Sequence, residues 1–84
     1  MKLIFAEQAW QDYLYWQGQD KRMVKRINEL IRETVREPFS GIGKPEALKH
    51  ALSGFWSRRI SEEHRTVYRV EAGALQIAQL RHHY

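Results

Sequence analysis

Glu46 and Lys49 stand three residues apart just after Pro45, five arginines (58, 59, 65, 69 and 81) crowd the C-terminal third, and the last two residues are His83 and Tyr84. A carboxylate, a guanidinium and an imidazole suffice for one reaction on RNA that needs no metal. The 2′-hydroxyl attacks the neighbouring phosphate. A base takes its proton, an acid protonates the departing 5′-oxygen, and a cation stabilises the charge gathering on phosphorus. Each acid–base role is worth about 10²–10⁴-fold in rate. In these terms Glu46 is the candidate base, and Lys49 beside it would favour its ionised form and touch phosphate. His83 is the candidate acid, because an ordinary histidine titrates at about 6.5. Arg65 is the candidate transition-state clamp, since a strand position suits preorganisation. Tyr84 adds a ring able to stack on a base.

Spacing alone also supports plainer readings. For Glu46 and Lys49 it favours an exposed ion pair, worth about 0.2–0.5 kcal/mol. A histidine next to a chain terminus is often unordered. Strand arginines frequently lay their stems over apolar surface. Five of them, on three neighbouring strands, favour a phosphate-binding face without implying catalysis. Of Phe55 and Trp56, one is expected in the core and the other near solvent by Arg58 or Arg59. Trp10 and Trp16 read as core or helix-packing residues, and His50 and His64 as structural or RNA-contacting.

Composition narrows the field. The 84 residues include no cysteine, which excludes disulfide scaffolds and thiolate metal sites. Residues 1–43 carry seven basic and six acidic side chains; residues 44–84 carry seven and four, and all four histidines. The basic excess thus falls with the candidate site and suggests a polyanionic partner. The only aspartates are Asp12 and Asp20, and no D-x-D or H-E-x-x-H pattern occurs. Ser40-Gly41-Ile42-Gly43-Lys44 lacks phosphate-loop spacing, and no serine sits in a nucleophile elbow. No metal or cofactor is therefore expected. The apolar run Leu3–Ala6 is too short for a signal peptide or a membrane span, so a cytoplasmic protein with no membrane partner is expected.

The elements that must position these side chains follow from periodicity and turn residues. Residues 2–5 read as a short strand and 7–17 as a helix whose inner face is Ala6, Trp10, Tyr13, Leu14 and Gln17. Gly18-Gln19 forms the joint. Asp20 then caps a second helix, 21–36, with Met23, Val24, Ile27, Leu30, Ile31, Thr34 and Val35 on one face. Pro38 ends it. Residues 37–45 form a loop, and Pro45 opens a single helical turn through His50. Strands follow at 55–60, 64–70 and 75–80, joined by short polar turns that imply antiparallel hairpins. Val67 and Tyr68 fall on opposite faces, so the core side of that strand stays open. The expectation is one α+β domain over residues 1–84, in the order β-α-α-β-β-β. A two-helix hairpin packs on an antiparallel sheet whose other face is left for work.

Several stretches carry a family resemblance: Leu14-Tyr15-Trp16-Gln17, Lys44-Pro45-Glu46, Leu52–Ile60 (Leu-Ser-Gly-Phe-Trp-Ser-Arg-Arg-Ile), Glu63-His64-Arg65-x-Val67-Tyr68, and the final His83-Tyr84. Together they resemble the YoeB toxins of the RelE superfamily, from end to end and with no insertion. The resemblance implies a RelE-like fold and cleavage of mRNA in the ribosomal A site by metal-free 2′-hydroxyl attack. Glu46 would be the base, His83 the acid, Arg65 the phosphate stabiliser, Lys49 and Arg59 substrate-holding residues, and Tyr84 the C-terminal completion of the site. It further implies a YefM-type antitoxin as partner, operator DNA bound only through that complex, and homodimers. The alternative from a different class is a non-enzymatic module that uses the basic sheet to bind nucleic acid or protein.

Overall fold

A computed structural model describes residues 1–82 of the chain. The elements run β1 (Lys2–Phe5), α1 (Glu7–Gln19), α2 (Lys21–Arg36), β2 (Glu46–Ala47), a 3₁₀ turn (His50–Leu52), β3 (Trp56–Arg59), β4 (Arg65–Glu71) and β5 (Ala74–Gln79). They build a five-stranded sheet in the order β1-β5-β4-β3-β2, with the helices against one face. The α+β order expected from sequence is present, with β2 as an addition. The sheet is mostly antiparallel; β1 is the exception and pairs parallel with β5.

Asp20 alone joins the helices, in place of the expected Gly18-Gln19. Its N–H bonds the Trp16 carbonyl to close α1, and its carboxylate accepts from the Arg22 N–H to open α2. The inner face of α2 is the one periodicity predicts: Ile27, Leu30 and Thr34 are buried, with Met23, Val24, Ile31 and Val35 packed beside them. The inner face of α1 is different. Ala9, Asp12 and Trp16 are buried, while Trp10 and Leu14 are 47% and 41% exposed. Trp10 instead forms an aromatic cluster with Phe5 and Tyr13.

The short segment Glu46–Ala47 is also a correction, because it is a strand and not a helical turn. Its two residues pair with Ser57 and Trp56. An isolated helical turn is a costly nucleus, whereas the free edge of β3 offers backbone groups in need of partners. On the other side of the sheet the β4–β5 hairpin turns on Ala72-Gly73. Both have positive φ, 53° and 73°, the pattern of the two-residue turn that matches strand twist.

Arg58 overturns a further expectation. It does not contribute to a phosphate-binding face: it lies on the helix side of β3, wholly buried. Its guanidinium donates to the carbonyls of Ile42 (2.9 Å), Glu37 (2.5 Å) and Ser40 (2.8 Å) and to the Tyr68 hydroxyl (3.2 Å). Tyr68 donates in turn to the Pro38 carbonyl at 2.7 Å. Burial lifts the Tyr68 phenol above its ordinary pKa, with Arg58 pulling the other way. Gly43 completes the arrangement. Its φ is +81°, and a Cβ there would sit 2.8 Å from Leu30 Cδ2, so the loop lies directly on the core. Its carbonyl accepts from the Arg59 N–H at 2.6 Å.

Removing the Arg58 guanidinium strands several buried carbonyls. Arg58→Leu is expected to lose about 3–5 kcal/mol of stability, read as a lower urea midpoint at unchanged slope.

Candidate active site

Residues directly opposite one another in an antiparallel pair point to the same face, so the register maps the sheet face away from the helices. Glu46 is opposite Ser57, Ser57 opposite Val67, and Val67 opposite Gln79. The next row is Arg59 opposite Arg65. Trp56, Arg58, Ile60 and Tyr68 occupy the other face. Glu46, Arg59 and Arg65 therefore share the open face, with Ser57 between them. Arg65 Nη1 donates to Ser57 Oγ at 3.2 Å. Lys49 follows β2, and with Glu46, Leu48 and His50 it lines a cleft of about 650 Å³.

Three of the five arginines remain on this face. Arg59 and Arg65 form the row just described. Arg69 bonds Gln76 Oε1 at 2.7 Å and lies over the Phe55 ring at 5.1 Å. Phe55 is thus the partner of the open face, while Trp56 turns to the helix side against Phe39. Arg58 is structural, and Arg81 lies past β5 with its guanidinium 3.5 Å from the Tyr15 ring centre. Val67 and Tyr68 are both buried, on opposite faces. A register shift beside them omits Ala78 from the β4–β5 pairing.

His83 and Tyr84, the proposed acid and terminal ring, lie outside the described residues. The chain leading to them is held in detail. Asp12 Oδ2 accepts from the Leu80 N–H at 2.9 Å, and Trp16 Nε1 donates to the Leu80 carbonyl at 2.9 Å. The His82 N–H donates to His64 Nδ1 at 2.8 Å, and the Arg65 N–H donates to the His82 carbonyl at 3.1 Å. Asp12, Trp16 and His64 were not singled out for this work in the sequence. Asp12 falls off the apolar face that periodicity gives this helix, so its spacing carries no signal of the role.

Among the described residues, no group of three or more His, Cys, Asp or Glu side chains is placed to hold a metal ion. No helix among them is long and apolar enough to cross a membrane. The pKa of His64 is lowered from its ordinary value. Burial against the Trp16 ring, 4.8 Å away, is the main cause, and His82 and Arg81 add repulsion; Glu63 and Asp12 oppose them.

Comparison with known proteins agrees with the fold. Residues 5–84 match the family model described as YoeB-like toxin of bacterial type II toxin–antitoxin system. The chain is 67% identical to Toxin YoeB of Escherichia coli K12, over all of both chains. Among solved structures, a YoeB/ParE toxin from Agrobacterium tumefaciens superposes with a TM-score of 0.98 at 52% identity, covering both chains fully. The YoeB of a heterotetrameric YoeB–YefM complex from Staphylococcus aureus gives 0.91 at 48% identity, covering all of this chain and 98% of that one. A YoeB dimer from the same organism has also been solved.

The lowered His64 pKa has a defined effect on stability. The unfolded chain binds a proton at this site at higher pH than the folded one, so the contribution is complete above the ordinary value of 6.5. It is lost as pH falls from there through the folded-state pKa. Urea midpoints measured at pH 7.5 and 5.5 are expected to drop more in the wild type than in His64→Asn.

Proposed function

This chain belongs to the YoeB-like toxins of bacterial type II toxin–antitoxin systems, and from that premise we propose that it is a ribosome-dependent mRNA endoribonuclease. The observation that carries the reading is the grouping of Glu46, Arg59 and Arg65 on one open sheet face, with Lys49 at its rim. In this reading Glu46 takes the 2′-hydroxyl proton of mRNA in the A site. The 2′-oxygen attacks phosphorus, and Arg65 stabilises the added charge. The bond to the 5′-oxygen breaks, that oxygen takes a proton from His83, and a 2′,3′-cyclic phosphate remains. Lys49 and Arg59 hold the backbone, and Tyr84 completes the site. None of these steps draws on a metal or cofactor. The outcome is inhibition of translation in the cytoplasm.

The partners follow from the same premise. A YefM-type antitoxin is the expected inhibitor, as in the S. aureus complex, and the pair is expected to repress its own operon, with operator DNA bound only through the complex. A homodimer is expected, as for the S. aureus toxin. Preorganised strand positions favour the enzyme reading over a module that only binds: Arg65 is fixed at the backbone by residue 82 and at the side chain by Ser57. An arginine used for affinity alone needs neither constraint.

Primer extension on a defined mRNA in a purified translation system tests this. Wild type is expected to give discrete A-site cuts. Glu46→Gln and His83→Gln are each expected to slow cutting by about 10²–10⁴-fold, and Arg65→Ala by about 10²–10³-fold. A folded wild type that binds ribosomes and leaves the mRNA intact overturns the reading. So does a His83→Gln variant that cuts as fast as wild type.

A further inference from the structure

His64 and Arg65 grip residue 82 from both sides. The imidazole of His64 accepts the His82 N–H, and the Arg65 N–H meets the His82 carbonyl. Residue 82 has φ +65°, a region sparsely populated by residues other than glycine and retained only where the surroundings over-determine it. Two hydrogen bonds, one to the peptide group on each side of its Cα, supply that determination. Upstream, Asp12 and Trp16 fix both backbone groups of Leu80. The chain therefore enters its last two residues from a backbone pinned at 80 by α1 and at 82 by the start of β4.

The geometry points to His64 as a positioning residue for the cleavage reaction: its imidazole, accepting the His82 N–H through Nδ1, fixes the backbone from which the chain continues into the residue that the reading above assigns as acid. This rests on the nuclease reading above. The logic is that of a shared dipeptide. Arg65 presents its guanidinium to the open face, so one short segment carries the phosphate stabiliser and anchors the tail bearing the acid. A shift of residue 82 would move the acid relative to the stabiliser, and misplacement of about 1 Å is enough to cost about 10²-fold in rate.

An imidazole that accepts through Nδ1 carries its proton on Nε2. A second proton would turn Nδ1 into a donor facing the His82 N–H, and the bond would break. The groups around the ring are Asp12 and Trp16 from α1, Glu63 from the turn before β4, and Arg81 and His82 from the tail. Burial first, then repulsion from His82 and Arg81, favour the neutral ring, against Glu63 and Asp12.

The experiment combines NMR with the cleavage assay on the full chain. In wild type, the His82 amide shift is expected to titrate with the same midpoint as the His64 ring. In His64→Leu, kcat for ribosome-bound mRNA should fall about 10–100-fold with apparent affinity for the ribosome unchanged. In His64→Asn, the side-chain oxygen stands as many bonds from the backbone as Nδ1, and cleavage should return to within about threefold of wild type. An amide that ignores the His64 titration, or a folded His64→Leu that cuts at the wild-type rate, overturns the inference. A wild type whose His82 amide follows His64 but which cuts no mRNA overturns the nuclease reading, and the positioning role with it.

Discussion

The buried Arg58 guanidinium is the interaction on which the site's architecture depends. Burying a charge is costly unless its donors are met. Here they are met by three loop carbonyls and one phenol. Because Glu37, Ser40 and Ile42 all turn their carbonyls to one side chain, the loop after α2 cannot wander. It is folded back onto the core, crosses Leu30 at Gly43, and bonds β3 before reaching β2. The position of Glu46 beside Ser57 is the end of that path. An arginine on the hidden face of β3 thus sets where a carboxylate stands on the open face.

A second tether operates at the other end of the chain. Asp12 receives the Leu80 N–H and the Gln8 amide, and Trp16 caps the Leu80 carbonyl. An aspartate is among the residues least often buried unless paired. Its place on the inner face of α1 is explained by the backbone donor it satisfies. The two tethers are independent in sequence, one running from α2 into β2 and the other from β5 into the tail. The tail as far as residue 82 and the strand carrying Glu46 are held by different parts of one core.

How much of this could be read from sequence depended on whether hydropathy or tertiary pairing decides the element. The inner face of α2 was legible because its seven apolar-side positions repeat at helical spacing and nothing polar must be buried except Thr34, which bonds the Leu30 carbonyl. The inner face of α1 was not legible. Its large apolar residues Trp10 and Leu14 remain partly exposed, and its buried residues include a carboxylate. Glu46 was misplaced on a helical turn because two residues carry too little pattern to reveal a strand that exists only by pairing with β3. Arg58 and Arg59 are adjacent and chemically alike, and only register decides which is buried. Glu46, Arg59 and Arg65 stood out through family resemblance; their spacing alone favoured an exposed ion pair for Glu46 and fitted snorkelling stems for the arginines.

The remaining question is why a small sheet should set Arg59 directly opposite Arg65. Like charges facing each other across an antiparallel pair are destabilising, by about 0.2–1 kcal/mol. Ser57 takes a hydrogen from Arg65, and Glu46 lies one row away on the same face. The Glu46 carboxylate sets one negative charge on the face that carries the two cations. An RNA phosphate arriving between the two strands would turn that repulsion into attraction, because both guanidinium groups would then face one anion. A cation pair that costs the free protein and favours the bound state is the expected mark of a surface shaped for a phosphodiester. In the reading proposed above, that surface is the sheet face carrying Glu46, Arg59 and Arg65.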